Sequence, residues 1–194
     1  MASTGELGEV KLWHFKSDMR PFKYTLHSQS VFSCNYSPCG GYLATGGQDG
    51  KVIIWKNVAE GDKYNHSFKA HAGPVKSVRF SKDGNFLLSA GDDKIIKLYK
   101  VSSGYKKTKF LRSFVGHTNW VLKADISPDS NIVASVCEKT VRLWDATNGD
   151  QILKYKNVET GNRCLEIHPE GNYIAIGGES GLLQIWDSRA EKLA

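Results

Sequence analysis

The sequence predicts an all-β fold built from repeated four-stranded units, and three observations carry that reading. An aromatic residue closes a similar stretch five times, at Trp13, Trp55, Tyr99, Trp144 and Trp186, in steps of 42, 44, 45 and 42 residues. A fixed period of this size marks stacked supersecondary units, each too small to bury its apolar face alone. Between the aromatics lie short runs of alternating apolar and polar residues, such as "KVIIW" and "KTVRLW", punctuated by turn signals "SPCGG", "SKDGN", "SPDSN" and "HPEGN". No segment sustains the 3.6-residue apolar period of a helix.

Taken in order, each unit divides into an inner strand, a second strand, a third strand ending on the aromatic, and an outer strand. In the second unit the first three are "SVFSCNYS", "YLATGG" and "KVIIW". "PVKSVRFS", "FLLSAG", "IIKLYK" and "KFLRSF" make the third unit; "WVLKADIS", "NIVASV", "TVRLWD" and "QILKYK" make the fourth. The fifth has "RCLEIHP", "YIAIGG" and "LLQIWD", with no clear outer strand. The first unit aligns on Trp13, which sets Met1 on its second strand, Ser3 at a hydroxyl position and Leu7 where other units carry a carboxylate.

Polar residues recur at fixed places inside these units. His27, Thr45, Asp49 and Trp55 are separated by 18, 4 and 6 residues, and His71, Ser89, Asp93 and Tyr99 repeat those steps. In the fourth unit His117, Ser135, Glu138 and Trp144 follow with one residue deleted before the turn; in the fifth Asn157, Ile176 and Ser180 accompany Trp186. A carboxylate that holds a sharp turn, a His that bridges it to a strand hydroxyl, and an indole N–H that completes the chain would leave every buried polar group satisfied. These residue types also make catalytic sites, but one copy in every unit points to structure. No catalytic residue is expected.

The residues resemble the WD-repeat family of β-propellers, whose marks are a Gly-His near the start of a unit and a Trp-Asp at the end of its third strand. "VGH" and "LWD" in the fourth unit match both, and "IWD" at 185–187 matches the second. The resemblance covers residues 1–194 and implies one WD-repeat portion, a partial ring of about four to five blades. Three stretches, "VKLWHFKSDMRPFKYT", "IIWKNVAEGDKYNHSFKAHAGPVKSVRFSKDG" and "GHTNWVLKADISPDSNIVASVCEKTVRLWD", are similar to early units of the proteome-of-centriole protein 1 family. That resemblance implies a seven-bladed ring acting as a non-catalytic scaffold, associated with tubulin or microtubules and other basal-body or axonemal proteins. It places the chain in the cytoplasm, on the cytoskeleton at a centriole, basal body or cilium.

Composition sets the remaining bounds. Of 194 residues 40% are hydrophobic and 24% charged, and no apolar run approaches a membrane span, so no membrane partner is expected. No phosphate-cradling glycine loop or helix-borne H-E-x-x-H occurs, and Cys34, Cys39, Cys137 and Cys164 form no C-x-x-C; no cofactor or metal is expected. The net charge of +6 is uneven, with eight basic and no acidic residues from Lys94 to Lys123. Tyr105, Lys106, Lys107, Lys109, Arg112 and Lys123 are therefore candidates for partner binding. Trp120 joins them, because it stands where other units carry Ser30 or Pro74. The basic stretch lacks interleaved exposed aromatics, which disfavours nucleic acid. The second functional reading is an adaptor subunit of a nuclear, nucleic-acid-associated or ubiquitin-ligase complex. An arc of blades leaves unpaired strand edges, so a second chain or copy that completes the ring is a further expected partner.

Overall fold

The computed structural model describes residues 1–13, 21–56, 66–156 and 161–188. The described residues form five antiparallel sheets, successive blades of a propeller. The first holds β1 (Ala2–Thr4), β2 (Glu9–Leu12) and β3 (Phe22–Thr25); the second holds β4 (Val31–Tyr36), β5 (Tyr42–Gly47), β6 (Lys51–Lys56) and β7 (His66–Lys69). The third has β8 (Val75–Phe80), β9 (Phe86–Gly91), β10 (Ile95–Val101) and β11 (Thr108–Val115). The fourth has β12 (Lys123–Ile126), β13 (Ile132–Cys137), β14 (Thr140–Asp145) and β15 (Gln151–Lys156), and the fifth β16 (Asn162–Ile167), β17 (Tyr173–Gly178) and β18 (Leu183–Asp187). Within each sheet, every strand pairs with the next in sequence. Asn157, placed in the fifth polar set above, lies outside the described residues.

The core lies between the sheets. Leu43, Ile53 and Trp55 of the second blade pack on Val10, Leu12 and Tyr24 of the first. Val75, Leu87 and Tyr99 of the third meet Ala44, Val52 and Ile54 of the second, and the fourth and fifth blades are joined in the same way. Middle strands are thus covered on both faces, which explains why β5, β9 and β13 carry runs of small and apolar residues with little alternation.

The inner strands β4, β8, β12 and β16 lie side by side around the channel. They belong to different sheets, and short polar side chains cross the gap to neighbouring backbone. The Val78 and Phe80 N–H groups donate to Ser33 Oγ at 3.1 Å and Asn35 Oδ1 at 2.8 Å, and the Ile167 N–H donates to Asp125 Oδ2 at 3.0 Å. Arg79 Nε donates to Asp125 Oδ1 at 3.0 Å and its Nη2 reaches Glu166, so one side chain ties three blades. An inner edge that would otherwise expose unpaired donors is closed by its neighbour.

The turns between inner and second strands repeat one device. Ser81 Oγ donates to Asp83 Oδ1 at 2.5 Å and accepts from the Phe86 N–H at 2.9 Å, while Asp83 accepts from the Asn85 N–H at 3.0 Å. Ser127, Asp129, Asn131 and Ile132 reproduce it. Each turn needs one left-handed residue. Gly84 takes φ +73° there, but Ser130 occupies the same place at φ 62°, and its hydroxyl is buried without a partner. Left-handed backbone costs a non-glycine residue about 1–2 kcal/mol, partly offset by the entropy glycine loses on folding. Ser130→Gly is expected to raise the unfolding free energy by about 0.5–1 kcal/mol, seen as a higher urea midpoint at unchanged slope.

Candidate functional site

The polar residues of the second blade form a directed chain. Trp55 Nε1 donates to Thr45 Oγ1 at 2.9 Å, Thr45 Oγ1 lies 2.9 Å from His27 Nε2, and His27 Nδ1 lies 3.0 Å from Asp49 Oδ1. An indole N–H can only donate, so the hydroxyl accepts it; its own hydrogen has Nε2 at 2.9 Å as the nearer acceptor, with the Ile53 carbonyl oxygen at 3.4 Å, and the carboxylate on the far side of the ring can only accept. That leaves the imidazole hydrogen on Nδ1, aimed at the carboxylate. Asp49 also accepts the Ser28 and Lys51 N–H groups at 3.3 and 3.1 Å and so pins both loops. In the third blade His71 lies 2.7 Å from Ser89 Oγ and 2.8 Å from Asp93 Oδ1, and Asp93 takes the Ala72 and Ile95 N–H groups. Tyr99 replaces the indole; burial pushes its hydroxyl up to about 12, against the opposing bond to Ser89.

Glycine makes the close approach of the His ring possible. A Cβ on Gly47 would sit 2.4 Å from His27 Nδ1 and 2.8 Å from Asp49 Oδ1; one on Gly91 would meet the Pro74 carbonyl oxygen at 2.7 Å.

The fourth blade departs from this plan. Cys137 stands where the others have glycine, and the turn is one residue shorter. Trp144 Nε1 still donates to Ser135 Oγ at 2.8 Å, and Ser135 Oγ lies 2.7 Å from His117 Nε2. The structure then sets Thr140 Oγ1, not Glu138, beside His117 Nδ1, at 3.2 Å, with Cys137 Sγ 2.9 Å from Thr140 Oγ1. Glu138 does not join the chain, which corrects the expectation from spacing. Its Oε2 accepts from Asn119 Nδ2 at 2.9 Å, and Asn119 Oδ1 accepts the Trp120 N–H at 2.8 Å. Glu138, Asn119 and Trp120 line a cleft of about 330 Å³ with Leu122 and Arg163. Trp120 is 54% exposed.

In the first blade Trp13 Nε1 donates to Ser3 Oγ at 2.8 Å. In the fifth, Trp186 Nε1 reaches Gln184 Oε1 at 3.4 Å, while Ile176 is buried and offers no hydroxyl.

The basic candidates do not share one surface. Lys106, Lys107 and Lys109 are exposed around the turn from β10 to β11, whereas Lys123 lies on the inner strand β12, where its charge acts on Cys34. Arg112 is half-buried beside Asp145, and Lys97 Nζ is bound to the Ala70 carbonyl oxygen at 2.5 Å. Tyr105 stacks on Tyr42 with ring centroids 4.2 Å apart and sets its edge on Phe80, so it is a packing residue between blades. A run of basic residues along two strands and their loops is divided among an outer rim, a turn and the channel wall. Sequence order could not show that.

Burial lowers the pKa of His27 and His71, with Asp49 and Asp93 opposing it, and all three ring chains hold a neutral imidazole. His117 has no carboxylate partner. Burial, with the Arg142 and Lys154 charges, pushes it down to about 3.

Five sheets joined face to face, with His, hydroxyl and carboxylate groups occupied in closing the second and third, define a repeat-built propeller of the interaction-scaffold class. The chain belongs to the WD40 family, described as WD domain, G-beta repeat, which matches residues 20–56, 62–100, 108–145 and 156–187. It is similar to Protein hir1 of Schizosaccharomyces pombe, 28% identical over 187 residues, covering 82% of this chain and 20% of hir1. It is also similar to the serine-threonine kinase receptor-associated protein of Gallus gallus, 32% identical over 150 residues, covering 77% of this chain and 41% of that protein. The guanine nucleotide-binding protein subunit beta of Oryza sativa subsp. japonica is 26% identical over 199 residues, covering 97% and 52%. The chain thus spans about a fifth of hir1 and about half or less of the other two. These relatives correct the cytoplasmic, cytoskeletal placement: HIR1 proteins recur among them, and HIR1 proteins are nuclear.

Two outcomes follow from the ring chains. Asp93→Ala strands the His71 Nδ1 hydrogen and two loop N–H groups, and is expected to cost about 1–3 kcal/mol in urea denaturation; Glu138→Ala, outside the chain, should stay within about 0.5 kcal/mol. Because the folded state binds protons at these imidazoles more weakly than the unfolded chain, stability is full above the ordinary His pKa of about 6.5 and falls on acidification. For His117 the loss continues toward pH 3, at about 1.4 kcal/mol per pH unit. A His117→Gln variant should show a shallower acid loss in thermal melts between pH 7 and 5.

Proposed function

We propose that this chain is a non-catalytic protein-interaction scaffold within a nuclear multiprotein assembly. The observation that carries the reading is the occupation of the recurring His, Ser, Thr and Asp side chains. In the second and third blades each is bonded to another member of the same blade, which leaves none free for a nucleophile–base pair in those networks. The residues that break the repeat, Trp120 and Glu138, come together at a surface cleft instead. Departures from a structural repeat at an exposed site fit recognition better than folding.

The nuclear part rests on similarity to HIR1 proteins. The receptor-associated protein and the subunit beta are, by name, proteins that work with others, which supports the scaffold part. Tubulin and basal-body partners find no support among these relatives. The dispersal of the basic side chains argues against a continuous nucleic-acid track, so the adaptor role is assigned to protein contacts.

The test is the distribution of the tagged protein, by imaging and by size-exclusion chromatography of nuclear extract. The expected result is a nuclear signal and elution far above the mass of the chain with a fixed set of co-eluting proteins. A diffuse cytosolic signal with elution as a free chain contradicts the proposal.

A further inference from the structure

We propose that the cleft between the fourth and fifth blades binds a cationic side chain, lysine or arginine, presented by a segment of a partner protein; this rests on the reading of the chain as a protein scaffold. Two separate breaks in the repeat meet there. The first is Trp120, an exposed indole where other blades place Ser30 or Pro74. The second is Glu138, whose counterparts Asp49 and Asp93 are bound to the ring histidines. Thr140 has taken the His117 contact, so the Glu138 carboxylate is released from the folding network and turned into the cleft.

Asn119 couples the two groups. Its Nδ2 holds Glu138 Oε2 at 2.9 Å and its Oδ1 holds the Trp120 N–H at 2.8 Å, which fixes the carboxylate beside the backbone that carries the indole. Glu138 Oε1 has no such bond to Asn119. Leu122 supplies an apolar lining for an alkyl stem. The charges lining the cleft among the described residues are Glu138 and Arg163. Arg163 is paired with a carboxylate other than Glu138, since its Nε donates to Glu179 Oε1 at 2.9 Å and its Nη2 bonds the same group, which offsets part of its repulsion of a cation. The lining therefore keeps one carboxylate next to an aromatic face. A cation gains from both, through charge-assisted hydrogen bonding and attraction to the ring quadrupole. A volume of about 330 Å³ is at the small end of ligand pockets, which suits one long side chain.

The test is an NMR titration of the full chain with N-acetyl-arginine amide and N-acetyl-lysine amide, with N-acetyl-glutamine amide as the uncharged control. The Trp120 indole signal is assigned by its loss in Trp120→Ala. The expected result is a saturable shift of the Trp120 indole and the Asn119 side-chain amide with the two cations and none with the glutamine amide. Glu138→Gln, which keeps the shape and leaves His117 untouched, should weaken binding by about five-fold or more, with a melting temperature unchanged from wild type. No saturable shift, an equal response to the glutamine amide, or equal affinity in Glu138→Gln overturns the proposal. Absent shifts in a protein that still co-elutes with nuclear partners sink the cleft alone; intact shifts in a protein that elutes free sink the nuclear-assembly reading alone.

Discussion

A single directed hydrogen-bond chain underlies the rest of this structure. An aromatic donor at the end of the third strand feeds a hydroxyl on the second, the hydroxyl feeds His Nε2, and the imidazole passes its remaining hydrogen to an acceptor at the next turn. In the second blade each link has only one sensible direction, because the indole cannot accept and a carboxylate cannot donate. The result ties the loop ahead of the inner strand to the turn between the second and third strands. With those two loops fixed, the sheet presents a rigid apolar face on each side, and the blades can stack. A neutral imidazole suits the task. Buried between a hydroxyl and a carboxylate it satisfies both, at no cost of a buried cation.

The contacts between blades follow a related logic. Inner strands of neighbouring sheets cannot ladder with one another, so Ser33, Asn35, Ser77, Arg79 and Asp125 carry hydrogen bonds across the gap. These residues occupy alternate positions on β4 and β8 and one on β12, and their varied chemistry solves one geometric problem. The apolar cores lie further out between the sheets, where Trp55 and Trp144 are 2% exposed. Polar stitching near the channel and apolar packing outside it together hold the order of the blades.

Much of this was legible in the sequence. The period of the aromatics and the repeated steps from His27 and His71 identify residues that the structure places within hydrogen-bonding distance, and Ser3 does stand against Trp13. The fourth blade was not legible, because deletion of one turn residue changes which side chain reaches the ring. Spacing alone favours Glu138, whereas the Cβ of Cys137 and the shorter turn bring Thr140 there. The packing of Tyr105 was hidden for a similar reason: its position in a loop says nothing of Tyr42 and Phe80, which come from two other hairpins. The cellular placement failed because a repeat that encodes the closure of blades is shared by proteins of many kinds, and carries little information on partners.

The closure of the blades depends on imidazoles that carry their hydrogen on Nδ1, with the fourth blade using a threonine where the second and third use a carboxylate. Long-range nitrogen–proton NMR correlation of the ring nitrogens at pH 7 reads this directly. His27, His71 and His117 are all expected to be neutral Nδ1–H tautomers, with the His27 and His71 Nδ1 protons shifted downfield by their carboxylates and the His117 proton not. A protonated ring, an Nε2–H tautomer, or a carboxylate-type shift at His117 would contradict it.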